Sequence, residues 1–161
     1  MTPAIEILTE KKLIGKRLNM SLANNKTVDL WRSFMPRRHE INNKVNNDFI
    51  SMQVYDHPFD PLNFNALTTY DKWATVEVND FGTIPDDMKT FTLQGGLYAV
   101  FIHKGLATDG ERTLRYIYET WMPDSDYESD NRPQFEVMGE KYKNNNPESE
   151  EEIRIPIKLK T

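Results

Sequence analysis

Apolar and polar positions alternate through the first twenty residues, where Ile5, Ile7 and Leu13 stand among polar neighbours in IEILTEKKLIGKRLNM. A period of two predicts strand. Gly15, inside that pattern, marks a bulge or the close approach of another backbone. The period then changes. Leu30, Trp31, Phe34 and Met35 share one face at helical spacing, with Thr27 as the expected N-cap. Pro36 ends that helix or opens a fresh turn. Strands are predicted from Phe49 to Tyr55 and from Trp73 to Val78, separated by a Pro- and Asn-rich loop over 56–70.

The second half repeats this order. Residues 89–104 read as a long strand interrupted at Gly95-Gly96 by a bulge. Thr108 and Glu111 fit a capping box, and Leu114, Ile117, Tyr118 and Trp121 follow at i, i+3, i+4 and i+7. Pro123 stops that helix. Strands then run from Gln134 and from Ile153, with a polar hairpin loop after Asn144. Each half therefore reads strand, helix, strand, strand, a duplication of order with a period of roughly 80 residues. This is an α+β pattern with antiparallel sheet. No linker divides it, so one domain over 1–161 is expected, with repeats at about 1–82 and 83–161. Aligning Met52–Tyr55 with Phe135–Met138 makes Gln53 and Glu136 equivalent, and Trp31 and Trp121 hold matching places in the two helices.

Composition narrows the chemistry. The 161 residues carry 25 acids against 20 bases, a net charge of −5. That balance argues against phosphate-backbone binding and against a polybasic membrane anchor. There is no Cys, which excludes disulfides, thiolate nucleophiles and Cys-ligated zinc. No secretory pattern opens the chain and no apolar run approaches the roughly 18 residues of a membrane span, so a cytoplasmic location is expected. His39, His57 and His103 lack metal-ligand spacing and read as surface or loop residues, so no metal is expected. The serines lack a nucleophile elbow, and Gly95-Gly96 opens no phosphate cradle, so no cofactor is implied. The acidic stretches 124–130 and 147–152 read as solvated loops; Asp124, Asp126 and Glu128 supply only part of a calcium-loop pattern.

Glu136 is the candidate chemical group. It stands mid-strand in QFEVM, where period two puts Gln134, Glu136 and Met138 on one face and Phe135 and Val137 on the other. Either Phe135 and Val137 are core and Glu136 faces water, or its face lines a cleft between the halves. In a cleft with aromatic walls, partial desolvation would strengthen its attraction for a cation. It would also raise the carboxyl pKa and suit it to acid–base work. Trp31, Tyr55, Trp73, Tyr98 and Trp121 are candidates for such walls or for the core.

The run GGLYAVFIHKG, the helix ending in ETWMPDSDYE, then NRPQFEVM and EEIRIPIKLK together resemble the GyrI-like small-molecule-binding family. WRSFMPRRHEI resembles its first helix, and the likeness spans essentially the whole chain. That domain also serves as the effector-binding part of AraC-type and MerR-type multidrug regulators. The resemblance implies a pseudo-twofold duplication of a βαββ unit around a central ligand cleft. It implies Glu136 as the ligand-binding glutamate. By position it adds Gln53, Tyr55 and Met138, and the aromatics Trp31, Trp73 and Trp121. The regulators carry a DNA-binding helix-turn-helix ahead of this domain. Here the first strand begins within a few residues of Met1, so a stand-alone domain without direct nucleic-acid or membrane binding is expected.

Three functions follow from the resemblance. The first is binding of amphipathic, cationic or planar aromatic small molecules, to sense or sequester them. The second is hydrolysis of reactive alkylating or cyclopropane-containing compounds, with Glu136 as general base and Tyr55 as orienter or acid; Glu77 is the only other mid-strand carboxylate available. The third is a protein-partner role, as in the member that modulates DNA gyrase, with the acidic loops as the contact. Binding ranks first, because no second acid is firmly placed beside Glu136.

Overall fold

The computed structural model describes residues 1–161, the side chain of Ala107 excepted. The elements in order are β1 (Ala4–Leu8), β2 (Lys11–Met20), α1 (Thr27–Phe34), β3 (Phe49–Val54), β4 (Tyr70–Val78), β5 (Lys89–Leu93), β6 (Gly96–Lys104), α2 (Gly110–Tyr116), β7 (Tyr127–Ser129), β8 (Gln134–Met138) and β9 (Glu150–Leu159). The architecture is α+β. Eight strands form an antiparallel sheet in the order β1-β6-β9-β8-β3-β4-β2-β5, and β7 adds to β9. That order is a palindrome. Exchanging β1 with β5, β2 with β6, β3 with β8 and β4 with β9 reproduces it, so the duplicated units meet at the β3–β8 pair.

One sheet face carries the helices. Leu30 and Phe34 of α1 pack on Ile14, Ala74, Val76 and Val78. In the second half, Ile117 and Tyr118 pack on Ala99, Phe101, Ile153 and Ile155. The other face gathers Leu8, Leu13, Ile50, Met52, Trp73, Leu93, Tyr98 and Phe135 into one cluster. Leu8 and Leu93 belong to strands at opposite ends of the order, so the sheet curls until its ends share this core. No helix among the described residues is long and apolar enough to cross a membrane.

The largest departure from the sequence pattern lies where strands were expected to continue. Residues 5–20 and 89–104 each divide into two strands with different partners. β1 and β6 pair together on one side, β2 and β5 on the other. Gly95-Gly96 is therefore the crossing of the two halves and not a bulge. The two connections touch: a Cβ on Gly95 would meet the Leu8 carbonyl oxygen. Gly15 marks a close approach, because a Cβ there would run into the carbonyl oxygen of Ala74 on β4. Alternation cannot reveal a change of partner, since it persists through both strands.

Helix starts also differ. Asn25 Oδ1 accepts the Thr27 N–H at 2.9 Å, so Thr27 is the first helical residue and Lys26 takes the cap position. Ahead of α2, a 3-10 turn over Ala107–Asp109 replaces the capping box, and no side chain caps the helix. His103 orders that turn and is buried, not a surface residue. Its Nε2–H donates to the Leu106 carbonyl at 2.9 Å, which leaves Nδ1, 2.8 Å from Thr113 Oγ1, to accept from that hydroxyl. After α2 the chain makes a π-helical turn over Ile117–Trp121, then one α turn that accommodates Pro123 in its first positions and ends at Asp124. The acidic stretches are only partly loop, since Tyr127–Ser129 forms β7 and residues 150–152 open β9.

Gly15→Ala is expected to lower stability by about 2 kcal/mol or more, a fall of roughly 4–8 °C in Tm. Thermal denaturation checks it, and an unchanged Tm would mean that β2 and β4 do not approach as described.

Candidate functional site

The β3–β8 ladder sets the floor of the site. Its register pairs Phe49 with Met138, Ser51 with Glu136 and Gln53 with Gln134. Period two sends these six side chains to the helix-bearing face, while Ile50, Met52, Phe135 and Val137 enter or pack on the opposite core. Phe135 and Val137 are thus core, but Glu136 does not face bulk water. Over it lies a cavity of about 1380 Å³ between α1 and α2.

Aromatic rings wall that cavity. Trp31 from α1 meets Phe34 and Phe49 edge-on, with ring centres 5.8 and 6.1 Å apart. Tyr55, at the end of β3, stands 5.6 Å from Tyr70 and 5.0 Å from Phe59. Phe59 comes from the β3–β4 loop and reaches Tyr118 at 4.7 Å and Phe64 at 5.1 Å. That loop therefore spans from the first half to the helical segment of the second and closes one end of the cavity. Each aromatic pair contributes about 0.5–1.5 kcal/mol beyond area burial.

Glu136 is set apart electrostatically. One carboxylate oxygen, Oε2, is shut off from solvent and receives no hydrogen bond from the protein. Part of the side chain still faces the cavity, but depth in the floor strips away most of its hydration. That desolvation pushes its pKa up to about 7; Lys72 pulls against it, and Glu151 adds a weaker upward push. Glu151, from β9, lines the same cavity and is also raised by burial. Burial holds the Tyr55 and Tyr118 hydroxyls far above their ordinary value, so both stay neutral. Tyr118 donates to Gln134 Oε1 at 2.9 Å, while Gln53 Oε1 is buried without a partner. The floor thus offers acceptors and a carboxylate that changes charge near neutrality.

Of the residues singled out in the sequence, Glu136, Tyr55, Gln53, Met138 and Trp31 line this one cavity. Trp73 does not: it lies on the opposite sheet face, 4% exposed, edge-on to Phe91 at 5.3 Å. Its odd position in β4 points it away from the helices. Trp121 does not either. It packs against Phe101 at 5.3 Å and Tyr127 at 6.3 Å, behind α2. The two tryptophans are not equivalent. Val28, Trp31 and Arg32 of α1 and Met35 just after it line the cavity as Glu111, Leu114, Arg115 and Tyr118 do from the second half. Leu114 therefore stands in the place of Trp31. Superposing buried Leu8 on Leu93 and Leu13 on Tyr98 likewise brings Ser51, not Gln53, onto Glu136. Gln53 still shares the face, because the correction is a whole period.

Sequence reasoning missed Phe59, Phe64, Tyr70, Tyr118, Lys72 and Glu151 as cavity residues. For Tyr70 and Lys72 a signal existed: both have the parity of Ala74 and Val76, which pack beneath α1. Phe59 and Phe64 carried none, since a loop has no period.

A family model for the GyrI-like small molecule binding domain matches residues 1–158. The transcriptional regulator BrlR of Pseudomonas aeruginosa (strain PAO1) is 26% identical over 146 residues, 90% of this chain and 51% of the regulator. The chain thus spans about half the length of that curated relative. Among solved structures, the C-terminal domain of EcmrR superposes with a TM-score of 0.75 at 16% identity, covering 99% of this chain and 98% of that one. SAV2435 bound to tetraphenylphosphonium superposes at 0.68 with 14% identity, covering 98% and 94%. A hydrolase encoded by lin2189 from Listeria innocua superposes at 0.64 with 11% identity, covering 98% and 92%. At these identities the structural likenesses establish the fold.

The raised carboxyl has a thermodynamic consequence in the unliganded protein. An unfolded chain releases the Glu136 proton near the ordinary value of 4.5, whereas the fold retains it to about 7. Between those values the native state binds more protons, so its stability falls as pH rises and levels off above about 7. Glu136→Gln removes this slope. Relative to wild type, the variant is expected to gain about 1–2 kcal/mol between pH 5 and pH 8, after allowing for the cavity-facing part of the side chain. Chemical denaturation at both pH values measures it, and parallel pH profiles would contradict it.

Proposed function

The chain belongs to the GyrI-like small-molecule-binding family, and from that membership we propose that its cavity takes up amphipathic cationic or planar aromatic molecules, to sense or sequester them. One observation carries this reading: a desolvated carboxylate, Glu136, at the base of an aromatic enclosure. A cation above it regains for the carboxylate the interaction that burial removed. The faces of Trp31, Tyr55, Phe59, Phe64 and Tyr118 add cation–π and stacking contacts of about 0.5–2 kcal/mol each. Gln53 and Met138 flank the carboxylate, Gln53 as an acceptor and Met138 as a deformable apolar contact. Aromatic walls with one charge constrain shape loosely, which suits varied ligands. SAV2435, which shares the fold, was solved with tetraphenylphosphonium bound, and that lipophilic cation is the natural first probe.

A second reading rests on the same carboxyl. A pKa near 7 suits a general base for water, with the neutral Tyr55 hydroxyl as acid or orienter. It would make the protein a hydrolase of reactive compounds. Recovering bound molecules and weighing them separates the readings: opening a strained ring adds the mass of one water, displacing a leaving group replaces it by hydroxyl, and binding changes nothing.

Tetraphenylphosphonium at about 100 times its Kd should stabilise wild type by roughly 2.7 kcal/mol. Because the cation favours ionised Glu136, its affinity should rise by up to about tenfold from pH 6 to pH 8. Glu136→Gln should bind weakly at both. Calorimetric titration measures these affinities. A pH-independent affinity that the variant retains would overturn the proposed role of Glu136.

A further inference from the structure

The cavity is not uniformly acidic. Lys72 enters its floor from β4, beside Gln53 across the β3–β4 ladder, while Glu136 adjoins Ser51 on the far side of β3. The two charged residues therefore arise two strand spacings apart and two residues out of level, roughly 12 Å apart along the diagonal of the sheet. Lys72 is half-buried, and among the described residues it makes no salt bridge. Lys11, on the opposite face, contrasts with it by meeting Glu77 at 3.1 Å. The Lys72 charge reaches both Glu136 and Glu151 without contacting either. Around the whole lining, three cations (Arg32, Lys72 and Arg115) stand against four carboxylates (Glu111, Glu119, Glu136 and Glu151). One pair is already spent, because Arg115 bonds Glu111 at 3.1 Å.

A ligand carrying only positive charge satisfies Glu136 but desolvates and repels Lys72. A ligand carrying only negative charge does the reverse. We propose that the cavity is built for zwitterionic aromatic molecules, with the cationic group at Glu136 and a carboxylate or comparable anion at Lys72. Its aromatic walls hold the ring system that spaces the two charges. The proposal deepens the cation-binding reading and rests on it.

The test uses ciprofloxacin, a bicyclic aromatic bearing a piperazinium and a carboxylate, and its methyl ester, which keeps the ring and the cation but lacks the anion. Fluorescence titration gives both affinities for wild type, Lys72→Gln, Lys72→Arg and Glu136→Gln, with tetraphenylphosphonium as reference. Wild type should bind the acid about tenfold more tightly than the ester. Lys72→Gln should bring the two within about twofold, Lys72→Arg should keep the preference, and Glu136→Gln should weaken both. Thermal melts of the unliganded variants show that each is folded. Equal affinities in wild type, or a ratio unmoved by Lys72→Gln, overturn the zwitterion proposal and leave the cation reading standing. So does binding of tetraphenylphosphonium with neither quinolone bound. If none of the three binds, the cation reading falls and takes this proposal with it.

Discussion

The antiparallel pairing of β3 with β8 is the constraint on which the molecule turns. This ladder joins the two halves at the centre of the sheet. Its register decides which side chains face the helices and which enter the core behind. A slip of one residue would put Phe135 and Val137 into the cavity and Glu136 into the apolar cluster, exchanging buried apolar surface for a buried carboxylate. The opposite core enforces the register: Met52, Phe135 and Ile50 are almost fully buried there. The chemistry on one face is therefore held in place by packing on the other.

The same ladder explains why the site is asymmetric within a symmetric frame. The pseudo-twofold relation carries Ser51 onto Glu136 and Trp31 onto Leu114, so each half supplies a different side chain at a matching place. The halves thus differ at these places, with one carboxylate and one large ring between them. The loops add to it. The β3–β4 loop brings Phe59 and Phe64 over the cavity, whereas the β8–β9 loop brings Tyr142, Asn144 and Asn145. The end under the β3–β4 loop is closed by rings, while at the other end Trp31, Phe49 and Met138 share the lining with Tyr142, Asn144 and Asn145.

Much of this was legible in the sequence wherever a period existed. Alternation around Glu136 identified the two faces of β8, and the presence of core residues on one of them was correct. The pattern could not decide what lay over the other face, because that depends on where two helices distant in the chain come to rest. The same limit explains the errors. Trp73 and Trp121 are large rings at regular spacing, and spacing does not tell a wall from a core. Gly95-Gly96 signalled a special backbone position, but only the sheet order shows that the chain there crosses between the halves. The Phe59 and Phe64 contacts were invisible, since a long loop carries no periodic record of what it covers. Lys72 precedes the strand predicted from Trp73, and its parity with Ala74 and Val76 becomes informative only once that strand is extended back to Tyr70.

The cavity's charge depends on a carboxyl whose proton is held by the fold to an unusually high pH. Carbon-13 NMR of protein labelled at the glutamate side-chain carboxyl, assigned through Glu136→Gln, reads that group directly. Its titration midpoint is expected near 7 in the free protein, moving down by about one unit or more when a saturating cation holds the carboxylate ionised. A midpoint at the ordinary value of 4.5, unmoved by ligand, would mean that Glu136 is hydrated and that the cavity does not act through its charge.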